Sequence, residues 1–220
     1  MDGPLFGPFA AGPIGRYTCG IMAHRCWNQS YAAGELPWDT GEPEPLLVEF
    51  VTSGRIQPTR TLEIGAGTGT NAIWLAERGF EVLGIDVAPL AVERATVKLD
   101  GRGLGCRFET LDILAAAPEG SFEFVFDRGC FHVFDEVEER ARFAARVAAA
   151  LVPGGLWLSL IGSTEGGPRE MGPPQRSGRE VILAIEPALA IQELRATEFR
   201  DHGAKAWFCL ARSRAVVSGK

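Results

Sequence analysis

The chain has 220 residues, a net charge of −6, and hydrophobic and charged fractions of 46% and 23%, which are typical of one globular domain. The negative charge and the lack of a basic run argue against a nucleic-acid surface, and no apolar run is long enough to span a membrane. The five scattered cysteines form no C-x-x-C pair and the N-terminus lacks a signal peptide pattern, so we expect a cytoplasmic protein without a metal site.

Residues 1–50 are predicted to form a flexible and covering N-terminal segment. Residues 1 to about 20 are rich in Gly and Pro, whereas Trp27, Tyr31 and Trp38 lie close to turn-forming residues. Large aromatic side chains beside turns predict a cover over a ligand crevice. A short helix at 46–51 then leads into the main domain, residues 51–215.

A strand, a glycine-rich turn and a helix follow in succession. Leu62 and Ile64 end an apolar strand, and Gly65, Gly67 and Gly69 come directly after it. Glycine can take positive φ and leaves room for a molecule close to the backbone. This pattern predicts a ligand crevice at the carboxyl end of a parallel strand.

The remaining elements alternate between strands and helices. Strands are predicted at 80–85, 107–111, 122–126, 156–161, 188–196 and 204–211, and helices at 89–99, 136–151 and 179–185. Pro153-Gly154-Gly155 is predicted to end the helix at 136–151. The alternation predicts an α/β fold with a doubly wound, mostly parallel sheet.

The spacing of the glycines restricts the ligand. A dinucleotide fingerprint, G-x-G-x-x-G, would need glycine at Thr70, whereas the third glycine lies one place earlier. Asp86 ends the next strand, where a carboxylate can accept hydrogen bonds from ribose hydroxyls. Asp112 ends the third strand, in a position to contact an adenine edge. The predicted ligand therefore has a ribose and a base but no pyrophosphate.

With these motifs, the chain resembles the class I S-adenosylmethionine-dependent methyltransferases, whose sheet has seven strands with the last antiparallel. The resemblance implies that the cofactor is S-adenosyl-L-methionine. Its methionine half would lie at the glycine turn, its ribose at Asp86 and its adenine at Asp112. The residues that the resemblance assigns to these three contacts are Glu63, Ile64, Gly65, Ala66, Gly67, Asp86, Val87, Asp112 and Ile113.

Two further motifs resemble the thiopurine S-methyltransferase group and its small-molecule relatives. They are Asp127-Arg128-Gly129 after the fourth strand, and Trp27 followed by Pro37-Trp38-Asp39-Thr40-Gly41. The resemblance implies that Arg128 and Trp27 line the cofactor site. We also expect Trp38 to contact the cofactor or the acceptor. The first loop differs from that group's usual Cys-Gly-Lys, so the resemblance does not extend to thiopurine specificity.

Asp127 and His132 are the candidate catalytic residues. Asp127 could orient the acceptor or the cofactor amino group, or only accept hydrogen bonds from the following turn. His132 titrates near neutral pH and could be a base, or it could be a hydrogen-bonded structural histidine. We interpret Cys130 as a small packed residue.

The predicted function is transfer of a methyl group to sulfur, oxygen or nitrogen of a small, aromatic or apolar acceptor. Nucleic acids and membranes are not expected partners. The alternatives are an NAD(P)-dependent oxidoreductase and a cofactor-binding protein without catalysis. Thr70 at the place of the third glycine, and the lack of a Tyr-x-x-x-Lys pair, disfavour the oxidoreductase.

Overall fold

The computed structural model describes residues 27–34, 36–168, 173–200 and 203–214. The N-terminal residues that we expected to be flexible lie outside these ranges. The helices are α1 (Trp27–Ala33), α2 (Pro45–Thr52), α3 (Thr70–Ala76), α4 (Pro89–Leu99), α5 (Val137–Ala150) and α6 (Gly178–Ile185). The strands are β1 (Arg60–Ile64), β2 (Glu81–Asp86), β3 (Cys106–Thr110), β4 (Phe122–Arg128), β5 (Leu151–Gly162), β6 (Leu189–Glu198) and β7 (Lys205–Ser213).

One seven-stranded sheet has the order β3-β2-β1-β4-β5-β7-β6. Strand β7 runs antiparallel to both of its neighbours, whereas the β1, β2, β3, β4 and β5 pairings are parallel. The predicted α/β class, the mostly parallel sheet and the antiparallel last strand are confirmed.

The register aligns the strand ends that carry the predicted site. Ile64 pairs with Ile85 on one side and with Asp127 on the other. The chain direction across the sheet reverses at β1, because β2 and β3 lie to one side and β4 to the other. Open α/β sheets bind ligands at the carboxyl edge of such a switch point.

Apolar side chains cover both faces of the sheet. Phe143 and Val147 of α5 and Val181 of α6 pack on one face, while Phe50 of α2 and Leu75 of α3 pack on the other. Burial of such side chains contributes about 1.5–3 kcal/mol each. None of the described helices has the length and apolar character needed to cross a membrane.

Two predicted boundaries differ from the structure. Pro153-Gly154-Gly155 does not separate α5 from the fifth strand, because β5 already begins at Leu151, which pairs with Phe122. The register shifts just beyond that pair, so the Pro-Gly-Gly run forms an irregular strand start rather than a turn. The predicted division after residue 50 falls inside α2, and the two-part organisation stays a prediction.

Candidate active site

The glycine turn, Gly65–Gly69, follows β1 at the switch point. Gly65 and Ala66 donate their backbone N–H groups to the Ile85 carbonyl at 2.8 and 2.9 Å. Gly65 and Gly67 have φ of 71° and 56°, a region that strongly favours glycine. A Cβ at Gly67 would lie 3.1 Å from the Tyr31 hydroxyl. Glycine at positions 65 and 67 therefore permits the left-handed backbone, and at Gly67 it also permits the close approach of Tyr31 to the turn.

The third glycine serves a different purpose. Gly69 is the N-cap of α3, with Thr70 as the first helical residue. A Cβ at Gly69 would lie 2.5 Å from the Phe108 ring. The close packing between helix and sheet thus uses a glycine one place earlier than in the dinucleotide fingerprint.

A cavity of about 310 Å³ lies over the glycine turn. Its lining comes from the turn and the start of α3, from the segment that precedes α2, and from Arg128 and Arg200. We call residues 27–44 the cover segment. The cover residues and their neighbour in α2 that line the cavity are Tyr31, Trp38, Asp39, Thr40, Glu42, Pro43, Glu44 and Pro45. Gly65, Ala66, Gly67, Trp38 and Arg128, all predicted site residues, are brought together here.

Asp86 lies directly behind the turn and does not line the cavity. It is 9% exposed, and its two oxygens accept hydrogen bonds from the backbone N–H groups of Gly67 and Ala88, each at 2.9 Å. Burial raises the pKa of Asp86, while these hydrogen bonds oppose the rise. A carboxylate has about four acceptor sites, so Asp86 could still accept hydrogen bonds from a ribose. The ribose contact stays a prediction.

Glu63 is buried at the end of β1, with 1% exposure. Its Oε1 accepts from Asn71 Nδ2 at 3.0 Å, whereas its Oε2 has no hydrogen-bond partner. Burial raises its pKa to about 8 against the effect of the Asn71 bond. The raised pKa favours the protonated form, and the unpartnered Oε2 is unused hydrogen-bonding capacity next to the glycine turn.

The cover segment is attached to the glycine turn through aromatic and polar contacts. Trp38 Nε1 donates to the Tyr31 hydroxyl at 3.4 Å, and the Trp27 ring packs edge-on against Trp38 at 5.4 Å between centroids. Thr68 donates to Asp39 at 2.8 Å. Trp27 thus contacts Trp38 but does not itself line the cavity, and its predicted cofactor contact stays a prediction.

A buried ion pair forms the wall at the end of β4. Arg128 Nε lies 2.6 Å from Glu44 Oε2, and the two side chains are 15% and 1% exposed. Arg128 Nη1 also donates to the Trp38 carbonyl at 3.3 Å. The carboxylate of Glu44 therefore places the guanidinium of Arg128 against the cover segment.

Asp127 lies near the end of β4 and His132 lies in the short turn that follows it, and neither residue lines the cavity. Asp127 is fully buried and accepts from the backbone N–H groups of Cys130 and Phe131 and from Trp157 Nε1. Burial raises its pKa to about 6 despite these donors. His132 is 4% exposed, and its Nδ1 accepts from the Gly162 backbone at 2.7 Å.

The other predicted cofactor residues are not among those that line the cavity. Asp112 accepts from the Leu114 backbone at 2.8 Å, and Val87 is 41% exposed. Ile64 and Ile113 are buried in the core. Their contacts with a cofactor stay predictions.

Cys130 packs beneath the glycine turn, where a Cβ at Gly65 would lie 3.1 Å from its own Cβ. Burial, followed by the charges of Asp127, Asp86 and Asp112, raises the pKa of its thiol well above the usual value. A neutral, packed thiol agrees with our interpretation. Within the described ranges, no group of three or more His, Cys, Asp and Glu side chains could hold a metal ion.

Sequence reasoning did not identify Glu44, Asn71, Thr68 or Arg200 as cavity residues. Glu44 is 84 positions from Arg128 along the chain, and no local pattern reports such a contact. One local signal was available for Glu44: it lies between Pro43 and Pro45 at the start of a helix, where an acidic N-cap residue is common.

Comparisons with known proteins show the family and the fold of the chain. The model of the thiopurine S-methyltransferase family matches residues 22–207. The chain is 34% identical over 147 residues to a probable thiol methyltransferase 2 of Arabidopsis thaliana, covering 64% of this chain and 65% of the relative. It is 30% identical over 131 residues to a 2-heptyl-1-hydroxyquinolin-4(1H)-one methyltransferase of Mycobacteroides abscessus, covering 59% and 57%. The chain thus spans less than two thirds of the length of these relatives.

Solved structures share the fold. One, from work on the conversion of a disulfide bond into a thioacetal group during echinomycin biosynthesis, has a TM-score of 0.74 and 27% identity over 86% of this chain and 91% of that one. A 1,6-didemethyltoxoflavin-N1-methyltransferase of Burkholderia thailandensis has a TM-score of 0.72 and 18% identity over 97% and 93%. The predicted resemblance is confirmed: the chain belongs to the thiopurine S-methyltransferase family.

Proposed function

We propose that this protein is an S-adenosylmethionine-dependent methyltransferase that acts on sulfur, oxygen or nitrogen of a small aromatic or apolar acceptor. The observation that carries the proposal is the open glycine turn under a cavity with aromatic walls. Gly65, Ala66 and Gly67 form one wall, and Tyr31 and Trp38 form another. Flat aromatic walls suit heteroaromatic ligands.

The residues around the turn fit the cofactor. A Cβ at Gly67 would crowd the Tyr31 hydroxyl at 3.1 Å, so only glycine leaves the backbone accessible here, and the unpartnered Oε2 of Glu63 provides a buried polar atom beside the turn. Asp86 supports Gly67 from behind and would hold the ribose. Bound S-adenosylmethionine would supply a methyl group whose C–S bonding electrons return to sulfur as the acceptor atom bonds to the carbon.

The protein's part in this reaction is chiefly to hold the reactants together. Keeping the reacting atoms about 3–3.5 Å apart can supply several kcal/mol of the barrier reduction. Thiols and acidic phenols are partly ionised near neutral pH, so they need little help from a base. The names of two relatives, a thiol methyltransferase and a hydroxyquinolone methyltransferase, support acceptors of this kind.

Direct catalytic roles for Asp127 and His132 stay predictions. His132 Nδ1 accepts a backbone hydrogen bond, so a base function would need its other ring nitrogen. If His132 is a base, His132→Ala should remove a limb of the pH–rate profile. A profile with the wild-type limbs would leave His132 as a support for the turn.

Calorimetric titration and product analysis test the proposal. The protein should bind S-adenosylmethionine and not NADH, and should release S-adenosylhomocysteine with at least one acceptor from a panel of thiols, phenols and N-heterocycles. Binding of NADH instead would favour the oxidoreductase. Tight binding of the methyl donor with no product from any acceptor would favour the protein without catalysis.

A further inference from the structure

Glu44 joins three parts of the site. Its Oε1 accepts from the Leu46 backbone at 3.1 Å, at the start of α2, and its own backbone N–H donates to Asn71 Oδ1 at 2.8 Å. Its Oε2 lies 2.6 Å from Arg128 Nε. With only 3% exposure, Glu44 has a fixed position and its charge is shielded from solvent.

Arg128 brings a positive charge to the same wall. Its guanidinium lies 5.1 Å from the centre of the Phe199 ring, and both Arg128 and Glu44 line the cavity. Charges in a poorly solvated wall act more strongly on a ligand than charges at the surface. Removing either charge of this buried pair should therefore change the electrostatic potential in the cavity more than removing a surface charge would.

The other charged side chains of the described lining are two acids, Asp39 and Glu42, and one arginine. That arginine, Arg200, pairs with Glu49 at 2.7 Å, so its charge is largely offset. The described lining therefore carries three acids and two arginines. This balance disfavours binding, beside Arg128, of a molecule that carries a negatively charged substituent in addition to its reacting atom.

We propose that Glu44 determines the charge selectivity for the acceptor: by offsetting Arg128 in the cavity wall, it favours acceptors with uncharged substituents over carboxylated ones. The inference deepens the proposed function and rests on it. Glu44 is a specificity-determining residue in this view. Glu44→Gln raises the charge of the wall by one unit, whatever else Arg128 contacts.

A matched pair of aromatic thiols tests the inference. 4-Mercaptobenzamide and 4-mercaptobenzoate present the same reacting atom and differ in one charge. We expect the ratio of kcat/KM for the benzoate to kcat/KM for the benzamide to rise by about tenfold or more in Glu44→Gln. Calorimetry on the protein loaded with S-adenosylhomocysteine gives the corresponding ratio of binding affinities for the two thiols. This second measurement does not require turnover.

Glu49→Gln is the control, because it removes an acid from an arginine pair that is 50% and 56% exposed. Solvent screens such a pair, so the ratio should change by less than about twofold. Glu44→Asp keeps the charge and should keep the wild-type ratio. Glu44→Gln combined with Arg128→Gln should bring the ratio back toward that of the wild type.

An unchanged ratio in a Glu44→Gln protein that still binds S-adenosylhomocysteine would overturn the inference. If that variant does not fold, Arg128→Gln decides: the benzoate ratio should fall by about fivefold or more, and no change would overturn the inference. Lack of binding of both thiols by a cofactor-loaded wild type would also overturn it. Failure of the wild type to bind the cofactor at all would instead refute the proposed function.

Discussion

The ends of β1 and β4 are neighbours in the sheet and carry similar residues, yet they differ in what they leave open. At the end of β1, Glu63 Oε2 has no partner, and a cavity lies over the glycine turn that follows. Near the end of β4, Asp127 accepts three hydrogen bonds and is fully buried. Both strands thus carry an acid near the carboxyl edge of the sheet, but the unused hydrogen-bonding group lies at β1, whereas β4 contributes to the cavity only through Arg128.

The largest expected effect comes from filling the bare turn. Gly67→Ala should weaken S-adenosylhomocysteine binding by about thirtyfold or more, since its Cβ points at the Tyr31 hydroxyl 3.1 Å away and enters space that a ligand needs. Isothermal calorimetry measures the affinity. Unchanged affinity would mean that the ligand does not lie against this turn.

Gly34→Ala is the matched control for backbone strain. Gly34 and Gly67 both have a positive φ, of 75° and 56°. A Cβ added at Gly34, however, would meet no atom within 4 Å. Both substitutions should cost stability of about 1 kcal/mol for the left-handed conformation. Only the change at Gly67 should alter cofactor affinity.

Asp86→Asn tests whether the acid behind the turn also holds the ligand. It removes the charge-assisted hydrogen bonds that fix Gly67 and Ala88 and those predicted to the ribose. We expect cofactor affinity to fall by about 10- to 100-fold, and stability to fall by about 1–3 kcal/mol. The exposed Asp100→Asn should change neither quantity. A loss of stability with full affinity would limit Asp86 to supporting the turn.

The predictable part of the molecule is the part that local sequence specifies. The glycine turn, the helix 136–151 and the strand 80–85 follow from patterns within a few residues, and each appears within about one residue of its predicted bounds. The Pro-Gly-Gly run was misassigned because pairing between Leu151 and Phe122 overrides the turn preference of those residues.

The cavity walls depend on contacts between distant residues. Trp38 and Arg128 were predicted to lie at the site, and both line the cavity. Their partner Glu44 was not predicted. Trp27 contacts Trp38 without lining the cavity, and its contact with a cofactor stays a prediction. Residue types can suggest a role in a ligand wall, but packing between segments far apart in the chain decides which side chain reaches it.

Asp127→Asn tests whether the acid near the end of β4 stabilises the fold without binding the cofactor. The amide that replaces Oδ2 would face Trp157 Nε1, which now donates to that oxygen at 2.9 Å, so a buried donor would lose its acceptor. We expect the free energy of unfolding to fall by about 1–3 kcal/mol in urea titrations.

Cofactor affinity should stay near that of the wild type in Asp127→Asn, because Asp127 does not line the cavity. Asp135→Asn is the control, since its side chain is 60% exposed and its loss should cost less than about 1 kcal/mol. A stable Asp127→Asn protein with a large loss of kcat would show instead that Asp127 acts on the reactants.

The pH dependence of stability tests whether Glu63 is protonated beside the turn. Its folded pKa is raised from 4.5 to about 8, so the folded state holds a proton that the unfolded state releases. Stability should therefore fall as pH rises between about 5 and 8, by up to a few kcal/mol. Glu63→Gln cannot ionise and should remove this part of the decline, whereas the exposed Glu81→Gln should keep it. Parallel stability curves for Glu63→Gln and the wild type would mean that Glu63 is ionised in the folded protein, and that its unpartnered oxygen is compensated by solvent.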